Sequence, residues 1–199
     1  MIYCTTGNLT IRSLERFDKA LIMKWLSDNQ VLKYYEGRNN PYDEQMVEEK
    51  FYNKNLDKTK CIIEYTKIPI GYIQFYCISD EQCKDYGYAN FKGNIFGTDQ
   101  FIGESKYWGK GIGKIIMKAM INFLILEKDA RKIILDPQSW NERAIKCYEK
   151  CGFVKVKLLP KHELHEGEYK DCWLMEYDIK NKFFSSFNSI FVLRSGGFF

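Results

Sequence analysis

The stretch Tyr107-Trp108-Gly109-Lys110-Gly111-Ile112-Gly113-Lys114 constrains this chain more than any other. Three alternating glycines open an apolar run that reaches Leu126, interrupted by Lys114, Lys118 and Asn122 at intervals of four. That spacing predicts a mostly buried helix over 112–126 with one narrow polar stripe. A helix N-terminus carries unpaired N–H groups and a partial positive charge, and glycines let those groups converge on an anion. The same glycines also suit a turn that merely permits tight packing. The spacing is neither the GxxxxGK[ST] of a P-loop nor the GxGxxG of a dinucleotide fold. An anion cradle of another kind, with Lys110 and Lys114 adding charge, is the functional alternative.

The flanking segments define the architecture. Residues 9–12 alternate as a short strand, and 17–26 carry Phe17, Leu21, Ile22, Trp25 and Leu26 at helical spacing. Pro41 followed by Asp43 and Glu44 reads as a helix start. Residues 61–65 and 70–76 form two β-rich runs joined by a short link, a hairpin pattern. Residues 79–93 are polar and glycine-containing, and read as a loop. Strand character returns over 94–102, then again in the buried run 132–136 that Pro137 stops. A short helix over 141–150 is closed by Gly152. Residues 154–158 and 171–179 are the last strands. The order is that of an α+β domain with a mixed central β-sheet flanked by helices, and its two βα units require a parallel strand pair. The domain spans residues 1–180. Residues 181–199, Phe- and Ser-rich without periodicity, form a C-terminal appendage.

Composition narrows the class. Of 199 residues, 45% are hydrophobic and 16% aromatic, as in folded globular chains, and the net charge is +4 without a Lys/Arg block. No nucleic-acid partner is expected. Seven cysteines, without a CxxC pair and with only two histidines, read as reduced thiols in a cytoplasmic protein rather than a metal site. The absence of an 18-residue apolar run gives no membrane span.

Thirty residues beyond the glycines stands Asn141-Glu142-Arg143-Ala144-Ile145-Lys146-Cys147-Tyr148-Glu149-Lys150-Cys151-Gly152-Phe153. With the glycine loop and the strand before it, this run resembles the GNAT N-acetyltransferase superfamily. The resemblance implies the GNAT fold, in which a splayed parallel strand pair forms the acetyl-CoA cleft. It implies that Gly109, Lys110, Gly111, Ile112, Gly113 and Lys114 hold the pyrophosphate, that Asn141 lines the thioester arm, and that backbone N–H groups near Ile102 polarise the thioester carbonyl. The superfamily usually carries Arg or Gln where Trp108 stands. The segments "GTDQFIGE", "ILDP", "LPKHELHEG" and "DCWLMEY" are similar to aminoglycoside 6'-N-acetyltransferases, over about Leu9 to Tyr177.

That narrower resemblance implies amine attack on the acetyl thioester. An amine is mostly protonated at neutral pH, so a carboxylate must take its proton. The resemblance implies that Asp99 of "GTDQ" fills this role and that Tyr148 protonates the departing thiolate. Recognition of a polycationic drug needs local acids: Asp85, Asp99, Asp136, Glu163 and Glu166. Tyr35 would pack on a sugar ring, and Gln74 and Tyr76 would face the cleft. Strand-edge acids and core tyrosines remain the plainer reading of each residue taken singly. The alternatives are another amine acceptor (a polyamine or a protein N-terminus) and a non-catalytic acyl-CoA-binding module. A monomer and a homodimer are both compatible with the sequence.

Overall fold

The computed structural model describes residues 1–53 and 57–179. Eight strands form a single sheet in the order β1-β2-β3-β4-β5-β6-β8-β7. They are β1 (Ile2–Thr6), β2 (Leu9–Ser13), β3 (Lys58–Tyr65), β4 (Ile68–Cys77), β5 (Asn94–Ile102), β6 (Ala130–Leu135), β7 (Val154–His165) and β8 (Glu168–Asp178). All pair antiparallel except β5 with β6. The β3–β4 hairpin turns on Thr66 and Lys67, both at positive φ, as the right-handed twist of a two-residue hairpin favours.

Each sheet face has its own cover, set by strand alternation. On one face lie α5 (Ile112–Lys128) and α6 (Glu142–Cys151). Ile116, Met117, Met120 and Leu124 of α5 are buried against Ile63, Ile73 and Ile133 of the strands. Each such side chain contributes about 1.5–3 kcal/mol of burial. On the other face, α1 (Lys19–Trp25), α2 (Asn29–Leu32) and α3 (Glu44–Val47), with a π-helical turn over Glu48–Tyr52, pack on Ile62, Tyr72 and Phe101. Arg12 anchors the chain entering α1 by a bidentate pair to the buried Asp18 at 2.7 and 2.8 Å.

Three readings need correction. Phe17 is 75% exposed and lies in a 3-10 turn (Arg16–Asp18) before α1, where its ring meets the Arg12 guanidinium rather than the core. Strand β1 was not anticipated, because five residues of a largely exposed edge strand carry little apolar alternation. Residues 79–93 contain α4 (Asp80–Tyr86), capped reciprocally by Ser79 and Gln82 and ended by Gly87 at φ +87. It has no fully buried residue, so it lacks the apolar stripe by which a helix is recognised. The expectation for residues 181–199, and with it the boundary near 180, lies outside the described residues.

Candidate active site

The cleft follows from where two strands part. Parallel pairing of β5 and β6 runs from Asn94 to Gly97 and ends there, while β5 continues to Ile102. The gap beyond Gly97 connects both faces of the sheet and opens into a cleft of about 1020 Å³. Alternation then divides the chemistry. Gln74 and Asp99 are paired neighbours on β4 and β5 and face the α1–α3 side. Gln100 faces the α5–α6 side.

On the α5–α6 side, Gly109, Gly111, Ile112, Gly113, Lys114, Asn141, Ala144, Cys147 and Tyr148 all line the cleft. Gly109 and Gly111 stand at φ +72 and +77, and a Cβ on either would meet no protein atom within 4 Å. Their bareness therefore serves neither packing nor a neighbouring helix, but leaves open space before the first turn of α5. Lys114 and Ile115 are the first N–H groups to turn back, both onto Gly111 O. Those of Ile112 and Gly113 have no intrahelical acceptor. An anion fits this cradle. Lys110 is exposed and does not line the cleft.

Asn141 caps α6, its Oδ1 accepting from Ala144 N at 3.2 Å, which leaves its amide N–H groups for the cleft. Ile102 lies at the open end of β5. Gly103 N–H donates to Ile70 O at 2.8 Å, so alternation turns the Ile102 N–H to the opposite edge, into the gap. Tyr148 is buried, and burial raises its phenol well above the usual range, partly opposed by a hydrogen bond from Gln100. It stays protonated at neutral pH and can donate. Gln100 Oε1 has no hydrogen-bond partner among the described residues. Gln100 stands within "GTDQ", and its position in the sequence alone implies no role.

On the other side the lining is mainly acidic and aromatic, with Tyr35, Glu36, Gln74, Tyr76, Tyr86, Asp99, Asp136, His162 and Glu163 beside Lys50 and Lys58, and Glu36 is paired with Lys50 at 2.5 Å. Asp99 Oδ2 accepts from Gln74 Nε2 at 2.5 Å, and Gln74 in turn accepts from the Tyr72 hydroxyl at 2.8 Å. Burial, then the like charge of Asp136, raises the Asp99 carboxyl above its ordinary value, with Gln74 and Lys58 opposing. Lys58 Nζ lies 3.8 Å away, over the Tyr76 ring at 4.3 Å. Asp136 accepts from the Tyr86 hydroxyl at 3.2 Å and sits 3.1 Å from His162 Nε2. That pairing raises the His162 imidazole. Glu163 is raised by burial.

Two expected acids stand elsewhere. Asp85 is exposed on α4 and does not line the cleft; the residue beside it, Tyr86, does. On a helix adjacent residues point about 100° apart, and reading the segment as a loop hid that constraint. Glu166 sits at the tip of the β7–β8 hairpin in a bidentate pair with Arg38 at 2.6 and 2.8 Å, which holds its carboxyl down at about 2. Tyr35 lines the cleft as expected while its ring also packs on Phe101 at 4.7 Å. Sequence reading missed Glu36, Tyr86 and His162. Only His162 had a signal, in "HELHEG".

These features are those of an acyl-transfer cleft, and comparison agrees: residues 15–160 match the acetyltransferase (GNAT) domain, and the chain belongs to that family. It uses acetyl-CoA, and the open glycine cradle fits that molecule's phosphates. Among relatives, the chain is 28% identical over 154 residues to an aminoglycoside N(6')-acetyltransferase type 1 of Klebsiella pneumoniae, covering 76% of each chain. It is 24% identical over 181 residues to a spermidine N(1)-acetyltransferase of Vibrio cholerae, covering 89% of this chain and 96% of that one. Solved structures share the fold. One is an aminoglycoside acetyltransferase in complex with coenzyme A and kanamycin, at a TM-score of 0.69 and 24% identity over 86% of this chain and 95% of that one. Another is spermidine N-acetyltransferase from Vibrio cholerae with coenzyme A and spermine, at 0.69 and 22% over 88% and 98%. Among the described residues, no helix is long and apolar enough to cross a membrane.

Proposed function

We propose that this acetyltransferase acetylates the 6'-amino group of aminoglycosides and thereby confers resistance to them. The observation that carries the reading is the acceptor side of the cleft. Asp99, Asp136 and Glu163 line it together, interleaved with the rings of Tyr35, Tyr76 and Tyr86. Spaced carboxylates suit a polyammonium ligand, and aromatic faces suit the C–H surfaces of sugar rings. The 28% identity to an aminoglycoside N(6')-acetyltransferase points the same way.

Each residue then has a role. Bound acetyl-CoA supplies the activated acetyl thioester. The glycine cradle and Lys114 hold its phosphates, and Asn141 orients the arm. Asp99 binds the acceptor ammonium and takes its proton, freeing the lone pair for attack. Its raised pKa brings the carboxylate nearer the working pH, where a base is most effective. The Ile102 N–H stabilises the developing oxyanion. Tyr148, held protonated by burial, donates to the leaving thiolate. Asp136 and Glu163 pair with the remaining ammonium groups, with Tyr86 and His162 setting the geometry of Asp136.

A linear polyamine would satisfy the carboxylates without using the aromatic faces. The 24% identity to the spermidine enzyme makes it the second reading. The test is product identification after incubation with acetyl-CoA and two drugs on one scaffold, one with a 6'-amine and one with a 6'-hydroxyl. Acetyl on the 6'-nitrogen of the first, and none on the second, is expected. Acetyl on another amine, or on neither drug while spermidine is modified, overturns the proposal.

A further inference from the structure

Trp108, flagged in the sequence because a ring stands where the superfamily usually carries a polar donor, is covered by a cation. The Arg143 guanidinium lies 4.3 Å from the centroid of the Trp108 ring and 4.3 Å from that of Tyr34. Trp108 is itself fixed, its indole N–H donating to Ile102 O at 2.8 Å. Tyr34 is fixed in turn against Trp140, stacked at 5.5 Å. Arg143 therefore bridges two rigid rings, one of them immediately preceding the glycine cradle.

Charge pairing does not account for this placement. Among the described residues Arg143 has no carboxylate within ion-pair distance. The acids of its own helix are engaged elsewhere, Glu142 with Lys146 at 2.8 Å and Glu149 with Lys155 at 3.6 Å. The two rings meet edge to face, 6.0 Å apart at 86°, so the guanidinium can lie flat on only one of them, and its N–H groups have no hydrogen-bond acceptor among the described residues. Arg143 lines the same cleft as Gly109, Gly111, Gly113 and Lys114. A permanently charged, planar donor is thus held beside the anion cradle with its donors unspent. Lys114 and Arg143 are both exposed, but only Arg143 is held against two rings.

We infer that Arg143 is a side-chain anchor for the phosphates of acetyl-CoA, presented by the Tyr34–Trp108 pair. The inference rests on the cofactor reading of the cleft and is independent of the acceptor. Its edge donors match phosphate oxygens, and the two rings confine the side chain before the ligand arrives, so little freedom is lost on binding.

The test is acceptor-free. Binding of CoA and of 3'-dephospho-CoA is measured by calorimetry at low and moderate salt for the wild type and for Arg143→Met, which keeps an apolar stem over the rings without the charge. CoA binding by the wild type is the control for the cofactor reading itself. Arg143→Met is expected to weaken CoA binding by about tenfold or more, the range of a lost charge-assisted hydrogen bond. It is also expected to flatten the salt dependence, and Arg143→Lys should recover part of the loss. The second ligand assigns the phosphate. A penalty that persists with 3'-dephospho-CoA places Arg143 on the pyrophosphate, and one that vanishes places it on the 3'-phosphate. CoA affinity in Arg143→Met within about twofold of the wild type overturns the inference. So does weaker binding with an unchanged salt dependence, which would mean lost packing rather than lost charge.

Discussion

Replacing Asp99 with Asn separates function from stability, and the structure sets the expected size of each effect. The Asp99 side chain is 27% exposed, so an acceptor ammonium at about 4 Å would feel an environment between water and the interior. The attraction is about 1 kcal/mol in water and about 4 kcal/mol at an effective dielectric of 20. Losing it raises the acceptor KM by about fivefold at the lower limit and far more at the upper. Losing a general base lowers kcat by about 10²- to 10⁴-fold. The assay is thiol release from acetyl-CoA with kanamycin across the pH range, fitted for kcat and KM. Wild-type kcat/KM should rise with pH through the raised Asp99 pKa, and Asp99→Asn should lose that limb and most of kcat. A raised KM with kcat preserved would refute the base role and leave only binding. An unchanged kcat/KM would remove Asp99 from the site.

Stability should move the other way. A carboxyl raised in the folded state holds its proton more tightly folded than unfolded. Ionising it therefore destabilises the fold. That penalty is absent below the unfolded carboxylate value of about 3.9, grows as pH rises toward the folded value, and is complete above it. Asn can still accept from Gln74 Nε2. Asp99→Asn should therefore melt higher than the wild type at neutral pH, with the difference shrinking toward pH 4. A lower melting temperature at neutral pH would mean that the carboxylate is stabilised by partners rather than strained.

Three further outcomes follow from named contacts. Tyr148→Phe should lower kcat by about 10²-fold with little change in either KM, and cost about 1 kcal/mol of stability because Gln100 loses its partner; an unchanged kcat would make Tyr148 a core residue only. Gly111→Ala should cost about 1 kcal/mol for a left-handed alanine, a fall of about 2–4 °C, while raising the acetyl-CoA KM about tenfold, because the methyl enters open cleft space; an unchanged KM would empty the cradle of its role. Lys58→Met removes a cation 3.8 Å from Asp99 and should lower the acceptor KM several-fold, more for more highly charged acceptors, as initial-rate kinetics would register.

What the sequence disclosed depended on how local each signal was. The glycine loop, the apolar run of α5 and the Gly152 stop of α6 are written within a few residues, and all lie where the spacing put them. On the donor side Gly109, Gly111, Ile112, Gly113, Lys114 and Asn141 come together in the cleft because they stand in two short segments, while Lys110 does not line it. The acceptor side is assembled from α4, β5, the end of β6 and the irregular middle of β7, where Lys161 stands at φ +51 and the pairing slips between Leu159 and Glu163. No period in the sequence predicts that slip, and it brings His162 to Asp136. Helix α4 was hidden because it is short and fully buries no residue, although Ser79 and Gln82 spell a capping box. The Tyr34–Arg143–Trp108 cluster joins three segments that are distant in sequence, with no local trace.

The acceptor identity is the central claim, and a direct competition tests it. Purified protein is supplied with acetyl-CoA and an equimolar mixture of kanamycin and spermidine, and the products are quantified by mass. The account predicts acetylated kanamycin in large excess, because only the drug uses both the carboxylates and the aromatic faces of the cleft. Acetylspermidine as the dominant product would contradict it.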